Sequence, residues 1–276
     1  MVPTVTLNNG VEMPRLGLGT AGPGDEETRR RVREALSLGY RLVDTAARYG
    51  NEVGVGQGIA DSGISREDVF VGTKLRGSDQ GYDSTRTALD ASLNRLGLDY
   101  VDLYLIHWPL PRLDQYAESW RAMAEMLADG KIRAIGVSNF LPEHLDRLAA
   151  TSSVVPAVNQ IELHPRLPQL EQRADDDRRG IVTQSWSPLA KAGDVINDPV
   201  LSSIGSRYGK TPVQVILRWH VQQGLVPIPK SGNADRLRQN LEVFDFELTG
   251  DDLAQIATLD SGTRVGGQDP RTHEEF

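Results

Sequence analysis

A barrel of eight parallel strands, each followed by a helix, is the α/β fold this sequence predicts. Three observations predict it. Short runs rich in Val, Ile and Leu, bounded by turn residues, recur eight times, at 14–20, 41–46, 69–75, 101–108, 132–139, 156–163, 181–187 and 225–231. Helix-period segments lie between most of them, so that strand ends repeat about every 30 residues, one βα unit. No linker, low-complexity tract or charge block divides the 276 residues. That length suits a (β/α)8 TIM barrel as one domain, 1–276.

The elements follow in order. TVTLNNGVEMP reads as a hairpin that turns at Asn9-Gly10 and closes the barrel bottom. After the strand PRLGLGT, the segment EETRRRVREALSLG sets Val32, Leu36 and Leu38 on one side and charge on the other. RLVDTA and VFVGTKL are the second and third strands. DSTRTALDASLNRLG repeats the helical pattern with Leu89, Leu93 and Leu96. Gly39 and Gly97 read as helix stops, and Ser84 and Ser138 or Asn139 as N-caps. VDLYLIHW, IRAIGVSN, PAVNQIEL and IVTQSWS are strands four to seven. The interval before the last strand, LVPIPKS, leaves room for an extra helix over TPVQVILRWHVQQG, with Thr211 as N-cap and Pro212 in the first turn.

Composition narrows the function. A net charge of −8 gives no general attraction to nucleic acid or anionic membrane. There is no apolar run of about 18 residues, and the N-terminus lacks the pattern of a secretory leader. With no cysteine, disulfides and thiol catalysis are excluded, and the expected address is the cytoplasm. His107, His144, His164, His220 and His273 show no metal-ligand spacing, so no metal is expected. The expected partner is a small molecule, and the expected state a monomer.

Chemistry in such barrels sits at the C-terminal strand ends. The polar residues there are Asp44, Lys74, His107, Ser138, Asn139, Gln160, Glu162, Ser187, Lys230 and Ser231. Tyr49 lies just after the second strand. Asp44, Tyr49, Lys74 and His107 come from three adjacent strands and converge on one mouth. Taken singly, each has a plainer reading: a helix-capping acid, a packing tyrosine, a solvated rim lysine, a core histidine. Together they suit polar reduction of a carbonyl. A tyrosine that donates a proton near neutral pH needs its pKa lowered, which a nearby ammonium does. Lys74 supplies that charge, Asp44 holds Lys74, and His107 donates a hydrogen bond to the substrate oxygen.

These stretches identify a resemblance to the aldo-keto reductase family over nearly the whole chain. They are LGLGT (16–20), DTAARYGNE (44–52), GTKL (72–75), LYLIHWP (103–109), IGVSNF (135–140), VNQIELHP (158–165) and IPKS (228–231). PAVNQIELHP, QSWSPL, VILRWH and VFDFELT are most similar to the bacterial 2,5-diketo-D-gluconate reductase-like branch. The family's catalytic tetrad falls on Asp44, Tyr49, Lys74 and His107, which implies an active reductase.

The resemblance implies NADPH bound across the barrel mouth. It places Ser138, Asn139 and Gln160 on the carboxamide, Trp186 against the nicotinamide ring, and Thr20, Ser187 and Leu189 elsewhere on the cofactor. Lys230, Ser231 and Arg236 fall on the 2′-phosphate, with Gln239 and Asn240 near the adenine. Basic residues at a helix start oppose the helix dipole, which favours a bound anion. Two decoys are set aside. GVGQG (54–58) has Ile59 where the dinucleotide fingerprint needs glycine and lies inside a helical segment. IGSRYGKT (204–211) has Ile204 where the phosphate loop needs glycine.

Ala21 and Arg76 stand where many relatives carry aromatics, while Trp108 keeps an aromatic wall. The expected substrates are therefore small polar or anionic carbonyls, α-dicarbonyls and keto-sugar acids included. Two alternatives stay open: a non-catalytic NADPH-binding regulatory or redox-sensing subunit, and a lyase or isomerase using Lys74 as a Schiff-base amine.

Overall fold

The computed structural model describes residues 2–275. Strands β1 (Thr4–Thr6) and β2 (Glu12–Pro14) form the N-terminal hairpin. Its turn differs from the two-residue form expected at Asn9-Gly10. Gly10 N donates to Leu7 O at 2.9 Å and Leu7 N to Val11 O at 2.8 Å, so the loop is Asn8–Gly10, with Gly10 left-handed at φ 85°. Glycine thus serves as the left-handed third residue of a longer loop. Asn8 and Asn9 donate to the carbonyls of Pro156 and Arg133, below the starts of two barrel strands. The hairpin therefore plugs the N-terminal end, burying Leu7 and Met13 against Leu42, Phe70, Leu103 and Val226.

Eight parallel strands follow in sequence order: β3 (Leu18–Gly19), β4 (Leu42–Asp44), β5 (Phe70–Leu75), β6 (Val101–Ile106), β7 (Ile132–Ser138), β8 (Val158–Glu162), β9 (Val182–Trp186) and β10 (Val226–Pro227). Each pairs with the next. Closure comes from Gly17 N and Gly19 N, which donate to the carbonyls of Pro227 and Pro229, both at 3.1 Å. At Gly19 a Cβ would lie 3.0 Å from Ile228 O, so the seam is tight. The fold is a (β/α)8 barrel.

Helices α1 (Asp25–Leu38), α2 (Glu52–Ser62), α3 (Tyr82–Leu96), α4 (Tyr116–Met126), α5 (Pro142–Ala149), α6 (Leu170–Arg178), α7 (Pro199–Tyr208), α8 (Pro212–Gln222), α9 (Ala234–Leu241) and α10 (Gly250–Ala257) surround it. The longest apolar cluster lies between sheet and helices and includes Val32, Leu36, Leu89, Leu93 and Leu96. Gly39 and Gly97 end α1 and α3 in the left-handed conformation, as expected. Thr211 caps α8 reciprocally with Gln214. The other expected caps are corrected. Gly81 caps α3, and Ser84 lies inside the first turn, donating to Gln80 O. Helix α5 starts at Pro142 after Leu141, beyond Ser138 and Asn139, because the ring of a first-turn proline fixes where the helix begins.

The glycines of GVGQG have a packing role. A Cβ at Gly54 would lie 2.2 Å from Asp25 O, and one at Gly56 would lie 1.8 Å from Leu96 O. They let the backbones of α1, α2 and α3 touch. No helix among the described residues is long and apolar enough to cross a membrane.

Candidate active site

Alternate strand residues face the barrel interior. Ascending from the hairpin, Leu42 gives way to Asp44, Phe70 to Lys74, and Leu103 to His107. The lower members join the apolar cluster under the hairpin. The upper members reach a cavity of about 730 Å³ at the C-terminal mouth, lined by Asp44, Tyr49 and His107 among others.

Lys74 is wholly buried just beneath. Its Nζ donates to Asp44 Oδ2 at 2.7 Å and to Thr45 O at 2.8 Å. The same Nζ lies 3.5 Å from the Tyr49 hydroxyl and 5.1 Å from the ring centroid. Tyr49 ends a short 3-10 turn, Ala47–Tyr49, which closes on left-handed Gly50. Its ring meets His107 edge-on, with centroids 5.9 Å apart. All four tetrad residues are thus brought together.

Burial pulls the Lys74 amine down, but the charge of Asp44, its hydrogen bond and Tyr49 outweigh this and hold it above its usual range. Lys74 is an ammonium. For Tyr49, burial pushes the phenol up, the Lys74 ammonium pulls it down, Asp44 opposes the ammonium, and the net direction is up. The expected lowering is therefore corrected: desolvation of the phenolate outweighs the cation. Tyr49 keeps part of its surface on the cavity. The upward shift leaves the hydroxyl proton in place at neutral pH.

Gln160 reaches across the barrel, donating to Asp44 Oδ1 at 2.8 Å and to Gln184 Oε1 at 2.7 Å. Asn139 is left-handed at φ 63° and donates to the carbonyl of His107, while its Oδ1 accepts from the Trp186 indole. Ser138 donates to Gln160 O. Thr20, Ala21, Trp108, Ser138, Asn139, Gln160, Trp186, Ser187, Leu189 and Lys230 all line the cavity. After β9 the chain climbs over the mouth with Ser187, Ala190, Lys191 and Ala192 left-handed, a concentration of strain at non-glycine positions.

Several expected residues lie outside the lining. Ser231, Arg236 and Gln239 sit at the surface beyond Lys230, and Asn233 Oδ1 caps α9 by accepting from Arg236 N. Asn240 is buried on the inner face of α9 next to Tyr40, so the structure does not bring it to the mouth. Arg76 does not line the cavity. The chain leaves β5 at Leu75 and turns at Gly77–Asp79, and the C-terminal tail covers Gly77, with Glu275 Oε2 accepting from Gly77 N.

Sequence reasoning missed Arg48, Lys191, Gln268, His273, Glu274 and Glu275, all on the lining. Arg48 stands between two residues already singled out, and its place in that loop was the available signal. The tail carried none beyond polarity. His273 packs against Trp108 with centroids 4.2 Å apart and ring planes tilted by 51°, and Glu275 Oε1 lies 2.6 Å from His107 Nδ1.

A parallel barrel with a carboxylate, an ammonium, a phenol and an imidazole at its C-terminal mouth defines a site for acid–base work on a small molecule. The chain belongs to the aldo/keto reductase family, whose model matches residues 15–261. It is 53% identical to an aldo-keto reductase of Mycolicibacterium smegmatis, over 99% of this chain and 98% of that protein. It is 50% identical to morphine 6-dehydrogenase of Pseudomonas putida, over 98% of this chain and 95% of that one. The crystal structure of a Gox0644 mutant in complex with NADPH superposes with a TM-score of 0.95 at 44% identity, covering 99% of both chains.

The buried pair makes a direct prediction. Asp44→Ala leaves the Lys74 ammonium buried without a counter-charge, and breaking such a pair typically costs about 3–5 kcal/mol. Denaturant unfolding should show a loss of that order, and Asp44→Ala combined with Lys74→Met should recover most of it. A loss below ~1 kcal/mol in the single variant would mean that the pair does not hold Lys74 in place.

Proposed function

We propose that this protein is an NADPH-dependent reductase of carbonyl compounds in which Tyr49 delivers the proton. One observation carries the reading: Asp44, Lys74 and Tyr49 stand in contact range below a cavity that also opens on His107. When bound, NADPH would supply a hydride to the carbonyl carbon. Tyr49 gives its proton to the carbonyl oxygen, Lys74 stabilises the phenolate left behind, and Asp44 keeps Lys74 in reach. His107 orients the oxygen from the other side. The sum is carbonyl, NADPH and a proton going to alcohol and NADP⁺.

The residues present fit the cofactor. Ser138, Asn139 and Gln160 put buried amide and hydroxyl groups on one wall, as a carboxamide needs, and the Trp186 face lies on the same lining. Lys230, Ser231 and Arg236 would hold the 2′-phosphate. The NADPH-bound relative supports this choice. An array arranged for proton transfer favours turnover over a purely regulatory role.

For the substrate, the reading is a polar or anionic carbonyl, α-dicarbonyls and keto-sugar acids included. Ala21 leaves one wall open, and the exposed Arg48 adds a cation to the lining beside Tyr49. The diketogluconate reductase-like motifs support the same class.

Tyr49→Phe should lower turnover by at least ~10², with NADPH binding kept, since general acid catalysis typically contributes that much. Near-normal turnover would remove Tyr49 from the mechanism. Lys230→Ala with Arg236→Ala should weaken NADPH far more than NADH, each charge-assisted bond being worth roughly 1.5–3 kcal/mol. Equal loss for both cofactors would refute the phosphate site. Arg48→Ala should raise KM for anionic carbonyls and leave neutral isosteres nearly unchanged. A uniform change across both classes would show that Arg48 does not read charge.

A further inference from the structure

We infer that Glu275, from the C-terminal tail, is a positioning residue for His107, holding the ring by Nδ1 so that Nε2–H faces the carbonyl oxygen. This rests on the reductase reading given above. Three observations support it. First, Oε1 of Glu275 lies 2.6 Å from Nδ1 of His107, an ion-pair contact made well off the N–H axis rather than a hydrogen bond, with both residues more than nine-tenths buried. Second, the carboxylate is itself fixed, because its other oxygen accepts from Gly77 N at 2.9 Å. Third, the tail backbone is seated on a residue without a side chain. A Cβ at Gly77 would lie 2.3 Å from the carbonyl oxygen of Glu275.

The tail is held upstream as well. Val265 N donates to buried Glu162 Oε1 at 2.6 Å, Arg271 pairs with Glu143 at 2.9 Å, and His273 packs against Trp108. Glu275 is therefore delivered to His107 by an anchored segment. Burial pushes its carboxyl up, but the contact with His107, the imidazole charge, the Gly77 amide and Arg48 together bring it below its usual range.

The chemistry follows from orientation. Nε2 can donate to a carbonyl oxygen only if that edge of the ring faces the cavity, and the anchored carboxylate beside Nδ1 fixes which edge does. The other charged and titratable groups around the ring are Tyr49, the Lys74–Asp44 pair behind it, Arg48, and His273 and Glu274 of the tail. Lys74 and Asp44 offset each other, which leaves Glu275 as the charged group in contact with the ring.

The test is Glu275→Gln, which keeps the shape and removes the charge. At pH 7 kcat for a reduced carbonyl should fall by roughly tenfold or more, with the NADPH Kd within about twofold of wild type. Glu275→Asp should recover part of the rate. Gly77→Ala, which displaces the tail and keeps every charge, should reproduce the loss. ¹⁵N spectra of the His107 ring should differ between wild type and Glu275→Gln at the same pH. Unchanged kcat and an unchanged ring spectrum would overturn the inference. So would a rise in kcat/KM, which would make the tail carboxylate an occupant of the substrate position. If the wild type reduces no carbonyl, the reductase reading fails, and the ring spectrum still decides the role of Glu275.

Discussion

The rest of the site depends on one buried ion pair. Lys74 is wholly buried and Asp44 nearly so, at 3% exposure. Taking two ions out of water costs several kcal/mol each, offset only when geometry is close and the remaining polar atoms are bonded. Both conditions hold here. Nζ has Asp44 Oδ2 and Thr45 O as acceptors, and Asp44 Oδ1 is bonded by Gln160 from the far side of the barrel. The barrel makes this possible because β4 and β5 are neighbours in register, Asp44 opposite Gly72. Asp44 and Lys74 then differ by one inward step.

From that pair the polarity of the interior can be followed outward. Gln160 passes the connection on to Gln184, while Asn139 ties Trp186 to the backbone of His107. The walls of the mouth are thus joined by side-chain amides rather than left to independent loops. This couples the wall of Ser138, Asn139 and Gln160 to the wall of Asp44 and His107. The loop over the mouth is different in kind, with four non-glycine residues in the left-handed region between Ser187 and Ala192. Such backbone persists only where its surroundings over-determine it, so this loop is held in place by the rim it covers.

Much of this was legible in the sequence, for a physical reason. In a parallel barrel, neighbours in sequence order are neighbours in space, so residues at consecutive strand ends need no long-range information to be brought together. Asp44, Tyr49, Lys74 and His107 were readable on that account. Arg76 was singled out by comparison with relatives, and it lies past the end of β5 just before the turn at Gly77–Asp79, where strand parity does not say which way a side chain faces. The phenol of Tyr49 was misjudged because one favourable charge was counted and burial was not. Glu275 was invisible for the opposite reason to the tetrad: its contact with Gly77 spans 198 residues, and no periodicity reports a contact of that kind. The hairpin turn was mis-sized since Asn-Gly marks the left-handed residue of more than one loop length.

The glycines of α2 have a further consequence. Helix α2 begins three residues after Tyr49, and it lies so close to α1 and α3 that a single methyl at Gly56 would collide with the carbonyl of Leu96. Its first turn is also fastened to α1, where Gly54 N donates to Asp25 Oδ1 at 2.7 Å. The stretch that mimics a nucleotide loop therefore works as a ruler. It sets the distance at which the tyrosine-bearing turn stands from the barrel wall, and its tolerance is smaller than one carbon atom. Drift in the outer helical layer would be read out at the phenol, so the surface of this barrel is less free to vary than its distance from the chemistry suggests.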